Sequence, residues 1–171
     1  IGRMNPEIRP MWDGARFWGE ATTLRIVPAR EPMWAVPDIN TAMDEWFDKI
    51  GLVHPGPFDA PPGHVIVLDS GGAPETAFFG SEGSLRAVIA GAAGIVTDGW
   101  VRDNREIREQ RSPIAGRYRG RTTLPGRIEI LDVDRTIACG GVQVRPGDIV
   151  GADDDGVVVV PREVPEIVGY K

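Results

Sequence analysis

Two short segments of this sequence, residues 80–84 and residues 94–103, carry residue types that can perform chemistry. The first reads Gly-Ser-Glu-Gly-Ser at the predicted start of a helix, where the first backbone N–H groups have no partner inside the helix and can bind an anion. The second ends in Arg102 and Asp103. Arginine offers a planar pair of donors to a carboxylate, and aspartate offers a hard oxygen ligand to a divalent cation. Together these groups suit a small keto-acid held against a metal ion.

The elements around the two segments predict that they meet. Residues 64–69 are almost wholly apolar, as is typical of a strand buried on both faces, and a second strand is predicted over residues 95–97. The helix between them begins at about Ser81. Its apolar residues recur at helical spacing: Leu85, Val88, Ile89 and Ala92. A strand, helix and strand of this length predict a right-handed crossover between parallel strands, whose carboxyl ends gather ligands.

The rest of the chain predicts two more helices and several strands. Asp38 is expected to cap a helix that runs to about Ile50, and Asp103 is followed by a short helical pattern over residues 104–110. Further strands are predicted over residues 17–27, 127–133, 136–144 (with a bulge or bend at Gly140-Gly141) and 157–160. Residues 153–156, Asp-Asp-Asp-Gly, resemble a calcium loop superficially but lack the glutamate twelve places along, so a tight turn is the better interpretation.

Composition excludes several classes of protein. A chain of 171 residues is expected to form one domain, 1–171, and 42% hydrophobic with 26% charged residues is ordinary for a soluble globular protein. The net charge of −6 argues against a nucleic-acid binder, and no apolar run is long enough for a membrane span. Cys139 stands alone, which excludes an internal disulfide and a thiolate zinc cage, so the cytoplasm is the expected compartment. Because the chain starts at Ile1 and stops soon after a strand, we expect terminal segments of the native protein to be missing.

Three motifs in order resemble the RraA-like family. They are Gly-Ile-Val-Thr-Asp-Gly-Trp-Val-Arg-Asp at residues 94–103, Gly-Gly-Val-Gln-Val-Arg-Pro-Gly-Asp-Ile-Val at residues 140–150, and Asp-Asp-Asp-Gly-Val-Val-Val-Val-Pro at residues 153–161. The family includes 4-hydroxy-4-methyl-2-oxoglutarate aldolases, which also decarboxylate oxaloacetate. The resemblance implies an α/β domain of the swivelling β/β/α type with a mixed, partly parallel sheet. It also implies a homotrimer or hexamer whose site lies at the subunit boundary and uses Mg²⁺ or Mn²⁺.

The resemblance also assigns roles to residues. Arg102 is expected to hold the substrate carboxylate and Asp103 to reach the metal. The backbone amides of the helix start are expected to bind the keto-acid, which here means Gly80, Ser81, Glu82 and Gly83. Family aldolases usually carry an acidic residue directly after the glycine, whereas this chain has Ser81 there and Glu82 one place later. Either Glu82 substitutes from the shifted position or the water shell of the metal is altered.

The sequence therefore predicts a metal-dependent lyase that releases pyruvate from 4-hydroxy-2-oxo acids and decarboxylates oxaloacetate. The chain contains only Lys49 and Lys171, neither suited to a Schiff base, which favours the metal route. Glu82 and a metal-bound water are both candidates for the general base. The expected partner is a small keto-acid, with no nucleic acid and no membrane. Three alternatives stay open: a non-catalytic regulator that binds a ribonuclease, an anion-binding module without activity, and a plain surface ion pair of Arg102 with a helix-capping Asp103.

Overall fold

The computed structural model describes residues 1–30, 38–51 and 60–164 of the chain. Within those residues, three helices accompany the strands: α1 (Ile39–Gly51), α2 (Ser81–Ile89) and α3 (Asn104–Gln110). The strands are β1 (Gly2–Arg3), β2 (Arg9–Pro10), β3 (Phe17–Pro28), β4 (Val65–Asp69), β5 (Ala77–Phe79), β6 (Gly94–Val101), β7 (Ile114–Arg119), β8 (Ile128–Val133), β9 (Ile137–Cys139), β10 (Val142–Val144), β11 (Ile149–Asp153) and β12 (Gly156–Val160).

The described strands form a mixed sheet in the order β1-β12-β11-β3-β4-β6-β7-β2, with β5 beside β6 and β8 beside β3. Its centre is parallel, because β3, β4, β6 and β7 pair in one direction, whereas β1, β2, β8, β11 and β12 pair antiparallel to their neighbours. The sheet curls until Arg9 in β2 donates a hydrogen bond of 2.6 Å to the carbonyl of Asp154 in the β11–β12 turn. The α/β fold with a mixed, partly parallel sheet is confirmed.

The strand β4 lies at the centre of the core, as its apolar sequence predicts. All five of its residues are buried. Ile66 and Leu68 pack into a cluster that also holds buried side chains of the three helices, and Val65 and Val67 pack on the opposite face against the antiparallel strands. Burying each such side chain stabilises the fold by about 1.5–3 kcal/mol. The parallel crossover from β4 through α2 to β6 is confirmed.

The strand β6 is longer than the sequence predicts. Asp98 and Gly99 look like the start of a turn, but the strand continues through them to Val101, with a register shift against β7 between Thr97 and Trp100. In this part of the strand, the carboxylate of Asp98 accepts the amide N–H of Ser70 at 2.8 Å and that of Gly140 at 3.1 Å. The partly buried side chain of Asp98 therefore binds two backbone amides within the strand, beyond the residues 95–97 that the sequence predicts as a strand.

The predicted strand over residues 136–144 is a hairpin instead. The strands β9 and β10 pair antiparallel, and the turn between them consists of Gly140 and Gly141 at φ values of 57° and 79°. Two consecutive positive φ angles define the turn type that suits tight hairpins and favours glycine. The tight turn predicted at residues 153–156 is confirmed, because β11 and β12 are joined there. The strands β5 and β7 were not predicted.

The predicted apolar face of α2 is wrong at Leu85 and Ile89, although Ala92, just after the helix, is buried in the core as predicted. Leu85 is 37% exposed and Ile89 is 77% exposed, whereas the buried residues of the helix are Ser84 and Ala87. The hydroxyl of Ser84 donates to the carbonyl oxygen of Gly80 at 2.7 Å, which lets a small polar residue be buried without an unpaired group. Small side chains therefore form the buried face of α2.

The other two predicted helices are confirmed. Asp38 caps α1 as expected, accepting the amide N–H groups of Asn40 at 2.8 Å and Thr41 at 3.0 Å through its Oδ1 atom. These hydrogen bonds, that from Thr41 first, lower the pKa of the Asp38 carboxyl. Across the described residues, no helix is long and apolar enough to cross a membrane.

Candidate active site

The two sequence segments meet at one edge of the sheet. The strands β5 and β6 run parallel, so Phe79 and Val101 end side by side and the residues after them share that edge. The amide N–H of Arg102 donates to the carbonyl oxygen of Phe79 at 3.1 Å. Gly80 follows as the cap residue of α2, with an extended backbone at φ −127°. The structure therefore brings residues 80–84 and 102–103 together, as the crossover predicts.

Asp103 turns its carboxylate toward the start of α2. Its Oδ2 atom accepts the amide N–H of Ser81 at 3.0 Å and the hydroxyl of Ser81 at 3.4 Å. The backbone of Asp103 is left-handed at φ 59° and ψ 40°, a conformation that aspartate and asparagine adopt more readily than most residues. Asp103 occupies the cap position of α3, but its side chain makes no capping hydrogen bond. The alternative of a helix-capping side chain is therefore wrong.

Arg102 is held by two anchors. Its Nη1 atom donates to the carbonyl oxygen of Ala77 at 2.7 Å, and its Nε atom lies 3.5 Å from Oδ2 of Asp103. The side chain is only 24% exposed, so this ion pair is better shielded than a typical surface pair. No hydrogen bond within the described part of the chain uses its Nη2 atom, which leaves that amino group available to a ligand carboxylate.

Gly80 is required here because it has no side chain. A Cβ atom at this position would collide with Oδ2 of Asp103 and would lie 2.9 Å from both Cγ and Nε of Arg102. Both charged side chains therefore pack directly over the Cα atom of Gly80. The sequence pattern pointed to the backbone amide of Gly80, whereas the structure shows a second requirement, the close approach of Arg102 and Asp103.

The amides of the helix start are not equivalent. The N–H of Ser81 is bound to Asp103, and the N–H of Ser84 donates to the carbonyl oxygen of Gly80 at 3.0 Å. Within the described residues, the N–H groups of Glu82 and Gly83 have no acceptor, so these two can meet an anion. The expectation that the Ser81 amide is free for substrate is thus wrong. The Glu82 side chain is exposed at the second position of α2.

The donors present fit a cation that needs few protein ligands. Within the described ranges, no group of three or more His, Cys, Asp or Glu side chains could hold a metal ion, so zinc and calcium cages have no basis there. The Oδ2 atom of Asp103 contacts Ser81 and Arg102, whereas its Oδ1 atom makes no hydrogen bond with a described residue. The Asp103 side chain is 37% exposed, so Oδ1 can be reached by a cation. Mg²⁺ and Mn²⁺ prefer oxygen ligands, and Mg²⁺ commonly takes one or two carboxylates and keeps several waters.

Sequence reasoning missed two contributors to this arrangement. The carbonyl of Ala77 anchors Arg102, and nothing in the sequence pointed to it because β5 is only three residues long. Asn104 follows Asp103 and donates from Nδ2 to the carbonyl oxygen of Val101 at 3.2 Å, while its buried Oδ1 has no partner among the described residues.

Cys139 lies outside the site, fully buried, and burial raises the pKa of its thiol. The side chain of Lys49 and all of Lys171 lie outside the described residues.

The family of the chain follows from comparison with known proteins. A family model described as "RraA-like: Aldolase/RraA" matches residues 1–159. The chain therefore belongs to the RraA-like family.

Curated relatives in this family carry aldolase names. A 4-hydroxy-4-methyl-2-oxoglutarate aldolase of Thermus thermophilus is 31% identical over 149 residues, which cover 86% of this chain and 77% of the relative. A protein of Halalkalibacterium halodurans, named provisionally as the same aldolase, is 38% identical over 115 residues. That match covers 67% of this chain but only 54% of the relative, and a match to a Methanocaldococcus jannaschii protein covers 45% of that protein. The chain thus spans about half the length of these two relatives.

Solved structures with the same fold are described as RraA proteins. One is Streptomyces coelicolor RraAS2, described as an unusual member of the RNase ES inhibitor RraA protein family. It superimposes with a TM-score of 0.73 at 30% sequence identity, and the match covers 96% of this chain and 75% of the RraAS2 chain. An RNA-processing inhibitor RraA from a Thermus species superimposes with a TM-score of 0.66 at 27% sequence identity. That match covers 94% of this chain and 85% of the Thermus chain. The relatives thus include proteins named for an enzyme activity and proteins named for ribonuclease inhibition.

Proposed function

We propose that this chain is a divalent-metal-dependent lyase that cleaves 4-hydroxy-2-oxo acids, such as 4-hydroxy-4-methyl-2-oxoglutarate, to pyruvate and also decarboxylates oxaloacetate. The single observation that carries the proposal is the convergence of Arg102 and Asp103 on the start of α2. One small region then contains an arginine whose paired donors can bind a carboxylate, an aspartate with one unused oxygen, and two available backbone amides. The names of the aldolase relatives support the same reaction class.

Both reactions share one chemical requirement. Breaking the bond between C3 and C4 leaves its electron pair on C3, delocalised onto the keto oxygen as the enolate of pyruvate, which then takes up a proton. Groups that meet this negative charge lower the barrier. Cleavage of the hydroxy-acid also needs removal of the 4-hydroxyl proton, whereas oxaloacetate loses carbon dioxide instead. One site can therefore serve both substrates.

The residues of this chain divide the work among them. Arg102 binds the substrate carboxylate next to the keto group through its unused amino group, and its anchor on Ala77 fixes the guanidinium plane. The amides of Glu82 and Gly83 face the anionic oxygens. Asp103 would hold a Mg²⁺ or Mn²⁺ ion, which supplies Lewis-acid polarisation of the keto group when bound. Glu82 is the candidate of this chain for accepting the hydroxyl proton.

A coupled assay of pyruvate release tests the proposal directly. Racemic 4-hydroxy-4-methyl-2-oxoglutarate and oxaloacetate are supplied with the untreated chain, with the chain after chelation, and with the chelated chain after Mg²⁺ or Mn²⁺ is restored. Activity should vanish on chelation and return with the metal. The Arg102→Lys variant corrects for decarboxylation of oxaloacetate by the metal alone. Activity that survives chelation, or a covalent adduct trapped by borohydride, contradicts the mechanism.

A regulator that binds a ribonuclease is the second candidate, favoured by the fold shared with proteins described as RNA-processing inhibitors. Inhibition of ribonuclease E-type cleavage by this chain, combined with no pyruvate release from either substrate, would support that function over the lyase. The Asp103→Asn variant separates them further. A docking surface has no use for a metal ligand, so inhibition should be unaffected by the substitution while lyase activity should fall.

A further inference from the structure

The residue that anchors Arg102 is itself hydrogen-bonded to the segment that follows β7. The carbonyl oxygen of Ala77 accepts Nη1 of Arg102 at 2.7 Å, and the amide N–H of Ala77 donates to the carbonyl oxygen of Thr122 at 3.0 Å. The strand β5 is only three residues long, and its register against β6 is irregular between Ala77 and Phe79. Few ladder hydrogen bonds therefore hold Ala77 in place, and the contact with Thr122 adds to them.

A single carboxylate oxygen binds the segment that contains Thr122. The Oε1 atom of Glu75 accepts the amide N–H of Arg121 at 3.1 Å and the hydroxyl of Thr122 at 3.2 Å. The residue before them, Gly120, donates its amide N–H to the carbonyl oxygen of Val101 at 2.9 Å. The segment is thus tied to β6 through its first residue and to Glu75 through the next two.

The side chain of Arg121 contributes little to this arrangement. It is 92% exposed, and its Nε atom lies 3.9 Å from Oε1 of Glu75, whereas the Glu75 side chain is 36% exposed. Ion pairs with such exposure contribute little to stability. A Cβ atom at Gly120 would lie 3.1 Å from Cε3 of Trp100 and 3.5 Å from Cγ of Glu75, so the backbone itself packs closely here. Glu75 therefore binds the backbone and the Thr122 hydroxyl rather than a charged partner.

We propose that Glu75 is a positioning residue for Arg102. Glu75 holds residues 121–122, and the carbonyl oxygen of Thr122 then holds the amide of Ala77. The carbonyl oxygen of Ala77 in turn holds Nη1 of Arg102. Because the guanidinium is planar, fixing Nη1 also fixes the direction in which Nη2 can donate to a carboxylate. The inference rests on the proposed function and deepens it, since it names the group that orients the carboxylate-binding arginine.

Side-chain NMR of ¹⁵N-labelled protein tests the orientation of Arg102 without reference to catalysis. The two Nη signals of an arginine are separate when rotation about its Nε–Cζ bond is hindered and average when the guanidinium turns freely. The Arg102 signals are identified by their loss in Arg102→Lys. They should be separate in the wild-type chain and averaged in Glu75→Ala and Glu75→Asp. Thermal unfolding checks the fold, and Glu75→Asp serves alone if Glu75→Ala does not fold.

Two variants separate the hydrogen bonds of Glu75 from its charge. Glu75→Gln loses the charge but keeps an oxygen that can accept both donors, whereas Glu75→Asp keeps the charge on a side chain one methylene shorter. Arg121→Gln is the matched control because it removes the exposed cation and leaves the backbone amide. The Arg102 signals should therefore stay separate in Glu75→Gln and in Arg121→Gln.

Kinetics of pyruvate release supply the second readout. Glu75→Ala and Glu75→Asp should lower kcat/KM by about 10-fold or more, because a misplacement of about 1 Å can cost about 100-fold. Glu75→Gln and Arg121→Gln should stay within about threefold of the wild type. In an Arg102→Lys background, Glu75→Ala or Glu75→Asp should add less than about twofold, since residues that act through one another are not additive.

Three results overturn the role of Glu75: Arg102 signals that stay separate in both Glu75→Ala and Glu75→Asp, a Glu75→Gln variant as impaired as Glu75→Ala, or losses that multiply in the double variant. Failure of the proposed function is distinguishable from these. In that case Glu75 would still control the Arg102 signals, while the wild-type chain would release no pyruvate from either substrate.

Discussion

Replacing Asp103 by asparagine separates a metal ligand from a structural residue. Asparagine keeps the shape of the side chain and tolerates the left-handed backbone at φ 59°, so the turn should survive. The amide oxygen can still accept the N–H of Ser81, now at 3.0 Å from Oδ2 of Asp103. What disappears is the negative charge beside Arg102 and the anionic oxygen that would hold a divalent ion.

The structure sets the expected size of each effect. A hydrogen bond to a charged group contributes about 1.5–3 kcal/mol and one to a neutral group about 0.5–1.5 kcal/mol. The Asp103 side chain is 37% exposed, which reduces the difference, so the free energy of unfolding should fall by about 1 kcal/mol or less. For a chain of this size the melting temperature would drop by about 2–4 °C. Lyase activity, in contrast, should fall about 100-fold or more, since losing even an outer partner of a metal ligand costs about 10- to 100-fold.

The assay measures pyruvate release over a titration of Mg²⁺, together with thermal unfolding, for the wild-type chain, Asp103→Asn and Asp155→Asn. Asp155 is the control because it removes the same charge from an exposed hairpin turn. The Asp103 variant should recover part of its activity at high Mg²⁺, and the Asp155 variant should match the wild-type chain throughout. An Asp103→Asn protein that both melts and turns over like the wild type would refute the role of Asp103 and, with it, the lyase proposal.

Three further changes give distinct outcomes. Arg102→Lys should reduce kcat/KM by about 10- to 150-fold (about 1.5–3 kcal/mol), because an ammonium lacks the planar, paired donors with which the guanidinium reaches Ala77, Asp103 and a carboxylate. Near-normal kinetics would show that Arg102 has no part in catalysis. Gly80→Ala should lower lyase activity at least about 10-fold without changing any charge, because the added methyl group would displace the side chains of Arg102 and Asp103. A crystal structure of the variant in which both side chains keep their positions would contradict this. Cys139 should resist a thiol reagent at pH 8 in the folded chain and react fully in denaturant, since burial raises the pKa of its thiol; rapid modification of the native protein would show that the core opens there.

Local patterns in the sequence were sufficient where a segment's own residues decide its structure. The run at β4 is apolar at every position from Val65 to Leu68, which leaves few options other than a strand buried on both faces. The capping oxygen of Asp38 is two and three residues from the amides it satisfies, so the start of α1 could be predicted from the chain. The order of strand, helix and strand likewise placed residues 80–84 and 102–103 at one edge, because parallel crossovers leave no other arrangement.

Contacts between distant residues decided what the sequence could not. The carboxylate of Asp98 in β6 accepts the amides of Ser70 and Gly140, which lie 28 and 42 positions away in the chain. Asp103 turned away from α3 because the amide of Ser81, 22 residues earlier, satisfies its oxygen, and Gly80 leaves the space for it to do so. Hydrogen-bonding groups pair with whichever partner the fold brings into reach. The sequence therefore determined the residue types of the site. The tertiary structure decided which backbone amides are occupied and which remain free.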